Sequence, residues 1–188
     1  MAYIRTIPEA QATDELAEAY KRVGNPDGTV DNVMKVHSLN VDSLRTHFAM
    51  YTAAMHKPSP LSRAEREMVA VAISRINGCA YCLRHHCSGL KLLLGQDRKQ
   101  VADDLADSAN TQLTDREAAM IAYAMKLTAT PAVMEPTDVQ RLRDAGLDDR
   151  AILDLAQCIG YFNYVNRIVT GLGVRFGEGE GEPGQWPS

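Results

Sequence analysis

Two cysteines and two histidines stand close together in the segment NGCAYCLRHH, which covers positions 77–86 of the chain. Cys79 and Cys82 form a C-x-x-C pair, and this spacer brings the two sulfur atoms close enough to close into a disulfide and reopen. A thiolate that attacks a peroxide becomes a sulfenic acid, and a neighbouring thiol condenses with it to form a disulfide. The residue types and their spacing therefore indicate thiol redox chemistry.

A helix that begins at about Cys79 would bring the reactive groups together. Residues at i, i+3 and i+7 of a helix share one face, so Cys79, Cys82 and His86 are predicted to lie side by side. His85 is rotated away from Cys79, and we expect it to be a solvated surface histidine. Both thiols fall in the first turn, where the positive end of the helix dipole favours an anion. Such settings lower a cysteine pKa from about 8.5 toward about 3.5–7.5.

Three other interpretations of the C-x-x-C pair compete with redox chemistry. Two cysteines on a helix can simply be buried apolar residues. Zinc prefers Cys and neutral His ligands, but a structural zinc site usually draws four ligands from two elements. The chain has no second C-x-x-C and no H-x-x-x-H. A thioredoxin-like fold would need βαβ units, and no convincing strand pattern is found. A zinc-binding helical module is kept as the less favoured alternative.

The remaining cysteines and histidines belong to no comparable motif. Cys87 adjoins the cluster and Cys158 is distant from it, and both are interpreted as small core residues. His37, His47 and His56 have no partner motif, so we interpret them as structural or surface residues.

Length and composition exclude several classes of protein. The chain has 188 residues, 45% of them hydrophobic and 23% charged, which suits a single globular domain. Its net charge of −4 and the lack of a basic run argue against nucleic acid as a partner. The start lacks the apolar stretch of a secretory signal, and apolar runs such as 68–73 are far too short to cross a membrane. We therefore expect a cytoplasmic protein, in which a close cysteine pair is more plausibly catalytic, redox-sensing or metal-binding than a structural bridge.

Helix signals recur along the whole chain, and the predicted fold class is all-α. Capping boxes mark two of the helix starts, Ser62 with Glu65 and Thr114 with Glu117. Residues 1–176 are predicted to form a single domain, and the Gly- and Glu-rich residues 177–188 a flexible tail. The predicted helices cover residues 8–23, 31–39, 42–57, 62–76, 79–95, 97–107, 114–128, 137–145 and 148–171.

Two stretches of the chain resemble a known family. Glu67, which precedes Cys79 by twelve positions, together with Cys79, Cys82 and His86, resembles the E-x11-C-x-x-C-x-x-x-H signature of the AhpD-like alkylhydroperoxidases. These belong to the carboxymuconolactone decarboxylase superfamily. The segment YFNYVNRIVTGLGV at 161–174 is similar to the F-N-x-x-N-R stretch of the peroxidase-related branch of that superfamily.

The resemblance implies both a fold and an activity. It implies an all-helical AhpD-like bundle that assembles as a homo-oligomer, commonly a trimer or hexamer, and that reduces peroxides with no cofactor or metal. Carried over by position, Cys82 is the peroxidatic nucleophile and Cys79 the resolving thiol, and Glu67 and His86 form a proton relay. Electrons are expected from a dithiol partner, either a lipoyl protein or a thioredoxin-type reductant.

One position departs from the family pattern. The best-known members have a histidine just before the second cysteine, whereas this chain has Tyr81. A phenol titrates near about 10 and is no base at neutral pH, although it can donate a hydrogen bond to an anion or a peroxide oxygen. Asn163, Asn166 and Arg167 fall on one strip of the last helix, and we interpret them as hydrogen-bonding partners that fix the packing between helices.

The sequence thus leaves three functions open. The favoured one is a thiol-dependent peroxidase for hydrogen peroxide or alkyl hydroperoxides. The second is a protein disulfide reductase or redox adaptor that uses the same cysteine pair, and the third is the zinc-binding module. A decarboxylase or lactone-processing role is disfavoured, because its carboxylate substrates would call for a cationic clamp and the arginines (Arg75, Arg84 and Arg167) are scattered.

Overall fold

The computed structural model describes residues 2–109 and 111–176, and every regular element in these ranges is a helix. The all-α prediction is therefore confirmed for the described part of the chain. Two short 3₁₀ turns, Glu9–Gln11 and Pro131–Val133, accompany the α-helices. In chain order the α-helices are α1 (Asp14–Val23), α2 (Asn32–Lys35), α3 (Val41–Met55), α4 (Arg63–Ile76), α5 (Ala80–Arg98), α6 (Gln100–Asp107), α7 (Asp115–Ala129), α8 (Pro136–Asp144) and α9 (Asp149–Gly171).

Helix α4 is the centre of the bundle, and α5, α6, α7 and α9 pack around it. Its residues from Arg66 to Ser74 are all buried, as expected for a helix that is apolar around most of its circumference. Each large apolar side chain in this run, such as Ile73, stabilises the fold by about 1.5–3 kcal/mol through burial. The run also buries Arg66 and Glu67, and charged side chains are rarely buried unless they are paired.

Both predicted capping boxes are present. The Ser62 hydroxyl accepts a hydrogen bond from the Glu65 N–H at 3.1 Å, and the Glu65 carboxylate accepts one from the Ser62 N–H at 2.6 Å. Thr114 and Glu117 make the same reciprocal pair at the start of α7. Asp148 caps α9 as predicted, through its bond with the Ala151 N–H. Each cap contributes about 1 kcal/mol to helix stability.

The predicted first helix, 8–23, is divided in the structure. A 3₁₀ turn at Glu9–Gln11 is followed by extended backbone, and α1 begins only at Asp14. The Glu9 carboxylate accepts the Val30 N–H at 2.8 Å and pairs with the Lys35 ammonium at 2.8 Å. These contacts with a later part of the chain stabilise the turn, and they cannot be predicted from a local helix pattern.

Two further boundaries differ from the prediction. The predicted helix 31–39 shortens to α2, which is followed by turns. Gly95 interrupts α5 where a helix end was predicted, since its φ of +64° lies in the left-handed region that favours glycine. The chain nevertheless continues through another helical turn to Arg98, and α6 therefore begins at Gln100 rather than at 97.

One cluster of buried apolar side chains extends from Leu16 on α1 to Val174 beyond α9. Within the described ranges, no helix combines the length and the apolar character that crossing a membrane requires. The predicted flexible tail, residues 177–188, lies outside the described residues.

Candidate functional site

A short turn joins α4 to α5 and sets the position of the site. Asn77 closes α4, Gly78 has a φ of +65°, and Cys79 is already the N-cap of α5. A side chain at Gly78 would meet no steric obstacle, so glycine is favoured there by the backbone conformation alone. Because the turn is so short, α4 and α5 run side by side, and Glu67 faces the first turns of α5.

The two sulfur atoms of the C-x-x-C pair lie 2.7 Å apart as free thiols. The Cys79 sulfur also accepts a hydrogen bond from the Cys82 N–H at 3.4 Å, which makes it the N-cap ligand of α5. Both residues are almost completely buried. The structure therefore brings Cys79 and Cys82 together at a helix start, as their spacing predicted.

The two thiols differ in acidity. The hydrogen bond with Cys82 lowers the pKa of Cys79 to about 7, although burial acts in the opposite direction. The hydrogen bond with Cys79 and burial raise the pKa of Cys82 well above its usual value. The resting pair therefore loses its first proton from Cys79, because this sulfur accepts hydrogen bonds at the positive end of a helix.

Glu67 and His86 form a buried hydrogen-bonded contact near the thiols. His86 Nδ1 lies 2.6 Å from Glu67 Oε2, and Arg63 donates to Glu67 Oε1 from Nε at 3.0 Å and from Nη2 at 2.8 Å. Burial alone would raise the pKa of Glu67, but the charges and hydrogen bonds of His86 and Arg63 lower it to about 2. Glu67 is thus ionised at neutral pH.

The contact with Glu67 also fixes the tautomer of His86. An ionised carboxylate only accepts hydrogen bonds, so Nδ1 of His86 donates to it, and Nε2 is the ring nitrogen left to exchange a proton. The Phe162 ring packs edge-on against the imidazole, with 4.7 Å between the ring centroids. His86 is therefore oriented so that Nε2, the nitrogen that can exchange a proton, points away from Glu67.

A small, partly open space of about 20 Å³ borders both Cys82 and His86. A space of this size holds about one water molecule. Cys79 is not among the residues that line it. Apart from Cys82 and His86, the lining side chains are aromatic, apolar or imidazole groups, namely Val33, Met34, Tyr51, Tyr81, His85, Tyr161 and Val165.

The prediction for His85 was wrong. It was expected to be a solvated surface histidine, but it is partly buried and lines the space beside Cys82. Burial lowers its pKa to about 3, so the imidazole is neutral at physiological pH. Its position three residues after Cys82 was the signal that sequence reasoning could have used. Tyr81 is buried, and its ring stacks on Phe176 with 4.4 Å between the centroids.

Residues of α9 support the turn and the thiols. Asn77 donates to Asn163 Oδ1 at 3.2 Å and to Asn166 Oδ1 at 3.1 Å, and Asn166 donates to Ser74 at 3.2 Å. A further hydrogen bond from Asn166 to Cys82 favours the thiolate form of that residue. The predicted packing role is confirmed for the two asparagines. Arg167 instead donates to Asn163 of its own helix, so these bonds link no helices.

The remaining cysteines and His37, His47 and His56 do not line the space beside Cys82. Cys158 is fully buried beside Met55, as predicted for a core residue, whereas Cys87 is only half-buried, in the middle of α5 where it faces Ala102 of α6. His37 and His47 are buried together against α9. Across residues 2–109 and 111–176, no group of three or more His, Cys, Asp or Glu side chains is placed to hold a metal ion.

Comparison with known proteins is consistent with this geometry. Residues 42–126, which include Glu67, Cys79, Cys82 and His86, match the Carboxymuconolactone decarboxylase family. The crystal structure of an uncharacterized peroxidase-related protein from Silicibacter sp. TM1040 is 34% identical, with a TM-score of 0.76 over 91% of this chain and 86% of that one.

Two further relatives agree with this match. A peroxidase-related protein from Ralstonia eutropha JMP134, described as an alkylhydroperoxidase AhpD core, is 27% identical, with a TM-score of 0.85 over 100% of this chain and 98% of that one. The uncharacterized protein YdfG of Bacillus subtilis is 25% identical over 119 residues, which are 63% of this chain and 80% of YdfG.

The chain therefore belongs to the carboxymuconolactone decarboxylase family. Within that family it is similar to the AhpD-like, peroxidase-related proteins.

Proposed function

We propose that this protein is a thiol-dependent peroxidase that reduces hydrogen peroxide or small alkyl hydroperoxides. The observation that supports this most directly is the pair of sulfurs 2.7 Å apart beside a space that also borders His86, whose Nδ1 is held by Glu67 at 2.6 Å. This arrangement supplies a nucleophile, a second thiol and a proton carrier within one site.

The proposed reaction has two steps. The Cys82 thiolate attacks a peroxide oxygen, so that an S–O bond forms and the O–O bond breaks, and the leaving hydroxide or alkoxide takes a proton from the imidazolium of His86. His86 then takes the proton of the Cys79 thiol, and the resulting thiolate attacks the sulfenic sulfur of Cys82. The disulfide forms, the S–O bond breaks, and the departing hydroxide takes that proton from His86 and leaves as water. The two thiols thereby supply both electrons.

Cys82 is assigned the attack because it lines this space, whereas Cys79 is not among the lining residues. The lower pKa of Cys79 is compatible with this assignment. With the sulfurs 2.7 Å apart, a proton that moves from Cys82 to Cys79 places the thiolate on the sulfur that meets the substrate. The transfer costs free energy, which the hydrogen bond from Asn166 to Cys82 offsets in part.

The walls of the space favour small, uncharged peroxides. Its volume of about 20 Å³ suits hydrogen peroxide, and a longer alkyl chain would have to displace the aromatic side chains. No lysine or arginine lines the described walls, so a carboxylate-bearing substrate would find no cation there. A dithiol, from a lipoyl or thioredoxin-type protein, would reduce the disulfide and complete the cycle.

The subunit assembly and the cellular location are part of the same proposal. We infer a cytoplasmic homo-oligomer, a trimer or hexamer. The exposed Leu92 and Leu93 on α5, with 67% and 48% of their surface accessible, are apolar side chains that a subunit interface could cover. Light scattering on the purified protein measures the subunit number.

Peroxide consumption with a dithiol as reductant tests the proposal. We expect turnover by the wild type, none by Cys82→Ser, and the loss of two free thiols as one disulfide when reduced protein meets peroxide. Cys87→Ser is the matched control, because this half-buried thiol lies outside the site. Full turnover by Cys82→Ser would refute the assigned role.

A second candidate function is protein disulfide reduction by the same pair. It is favoured by the pKa of about 7 at Cys79, since thiol–disulfide exchange is fastest when the attacking thiol has a pKa near the ambient pH. Rapid reduction of a protein disulfide together with negligible peroxide turnover would select this function over the first.

A further inference from the structure

We propose that Arg63 is a positioning residue of the thiol site: it holds Glu67 in the orientation and charge state that keep His86 available as a base. The inference deepens the proposed function and rests on it. Arg63 belongs to no motif that the sequence singled out. Its place in the site follows from two sets of contacts and from the charges around His86.

The first contacts divide the Glu67 carboxylate between two partners. Arg63 uses both Nε and Nη2 on the same oxygen, Oε1, at 3.0 and 2.8 Å. The other oxygen, Oε2, is left to His86 Nδ1 at 2.6 Å. Because each oxygen has its own donor, the carboxylate cannot rotate without breaking a charge-assisted hydrogen bond.

The second set of contacts anchors the guanidinium to the end of α3. Arg63 Nη1 donates to the Met55 carbonyl at 3.2 Å and lies 2.8 Å from His56 Nδ1. Burial and the nearby Arg63 charge lower the pKa of His56 to about 4, so its neutral ring can accept this hydrogen bond. A planar guanidinium spans these partners and Glu67 together, whereas a lysine ammonium is a single point.

The third observation concerns charge around the His86 ring. Tyr51, His56, His85 and Tyr161 are neutral near pH 7, because burial raises the tyrosine pKa values and lowers those of the histidines. The groups that remain charged are Glu67, Arg63 and Arg66 on α4 and, on α5 itself, Cys79, whose pKa of about 7 leaves it partly ionised.

This balance of charge determines how readily His86 takes a proton. Arg63 offsets much of the negative charge of Glu67, so that His86 does not face a lone buried carboxylate. Without Arg63, His86 would be left among the described residues as the hydrogen-bond partner of Glu67, and the uncompensated carboxylate would favour the imidazolium. A histidine that is already protonated cannot accept the thiol proton.

Nuclear magnetic resonance titration of labelled histidine tests this role directly. The nitrogen shifts of His86 report its tautomer and the pH at which it gains a second proton. We expect Arg63→Gln to raise that pH by about one unit, as is typical when a neighbouring charge is lost. Arg63→Lys, which keeps the charge, is expected to shift it by less than half as much. The matched control is Arg66→Gln, because Arg66 is buried on the same helix but donates only to backbone carbonyls.

The outcomes separate this proposal from the proposed function. An unchanged His86 titration in folded Arg63→Gln, or an equal shift in Arg66→Gln, overturns the role of Arg63. If Arg63→Gln does not fold, a full-unit shift in Arg63→Lys overturns it as well. Peroxide turnover is measured on the wild type alone, so its absence refutes the peroxidase without touching the titration result.

Discussion

Two buried histidines, His86 on α5 and His47 on α3, have opposite surroundings. Only 8% of His86 and 2% of His47 is exposed. His86 has a carboxylate 2.6 Å from Nδ1. His47 stacks on His37 with 4.5 Å between the ring centroids, and neither of its ring nitrogens has a hydrogen-bond partner among the described residues.

The difference between these histidines separates a chemical role from a structural one. Burial and the neighbouring His37 lower the pKa of His47 to about 3, so this ring remains neutral and serves as an apolar filler. Glu67, held by Arg63, gives His86 a counter-charge that stabilises the imidazolium formed during proton transfer. A buried imidazole is therefore not by itself evidence of chemistry, whereas an imidazole with an ionised partner beside a thiol is.

Removing the charge of Glu67 is the change expected to have the largest effect, because it takes away what distinguishes His86 from His47. Glu67→Gln is expected to lower kcat/KM for hydrogen peroxide by about 100-fold, because a positioned acid–base group contributes about that much or more. The measurement is peroxide consumption with saturating dithiol. Glu65→Gln is the control, since Glu65 caps the same helix and pairs with Arg116 instead. Equal losses in both variants would mean that the effect is structural.

The stability of the folded protein is expected to fall in acid because of His47, whose ring nitrogens have no hydrogen-bond partner among the described residues. The pKa of His47 is about 3 in the folded protein and near 6.5 when unfolded, so below pH 6.5 the unfolded state binds the extra proton. The free energy of unfolding should thus fall as the pH drops from 6.5 toward 3, by about 2 kcal/mol at pH 5 from this residue.

Urea unfolding at pH 7 and pH 5 measures this difference. His47→Phe keeps an aromatic ring in the stack but cannot be protonated, so it should lose less stability than the wild type between the two values. An identical loss in both proteins would place the acid sensitivity elsewhere.

A third change adds an imidazole next to Cys82 and tests whether a further histidine in the site takes part in the chemistry. Tyr81→His restores the residue expected from the family resemblance, and a several-fold higher peroxide turnover at neutral pH is expected, because a phenol is no base there. Tyr81→Phe serves as the comparison, since it removes only the hydroxyl. A histidine variant no faster than the phenylalanine variant would show that this position moves no proton.

The smallest effect is expected at His85, which borders the same space as His86. Because burial lowers its pKa to about 3, His85 is neutral at both pH 6 and pH 8. His85→Phe should change the rate of Cys82 alkylation by iodoacetamide at either pH by less than about twofold, a barrier change below about 0.5 kcal/mol. A marked loss confined to pH 6 would reveal a charged His85.

The sequence was sufficient to predict those features that arise within a few residues. Ser62 and Glu65 meet across one turn, and Cys79, Cys82 and His86 share a face because a helix repeats every 3.6 residues. The buried character of α4 was likewise visible in its apolar run. Glu67 was identified only through the family spacing, since an exposed glutamate is the commoner case.

Features that depend on distant parts of the chain were missed. His85 was assigned to the surface because its own helix face did not reveal the side chains that α3 and α9 pack against it. Arg63 appeared to be an ordinary residue of the first turn of a helix, and its contacts with Met55 and His56 depend on how α3 ends. The relative acidity of the thiols depended on which sulfur became the N-cap ligand.

The proposed relay, from Arg63 to His86, lies within one helical hairpin, closed by the turn at Gly78. Contacts close in sequence form quickly, so this reactive unit has a short route to assembly. Its insulation from water, by contrast, is supplied by remote residues such as Tyr161 and Phe162. Mutations in α9 should therefore alter which molecules reach the sulfur, while those in the hairpin should alter how the sulfur reacts.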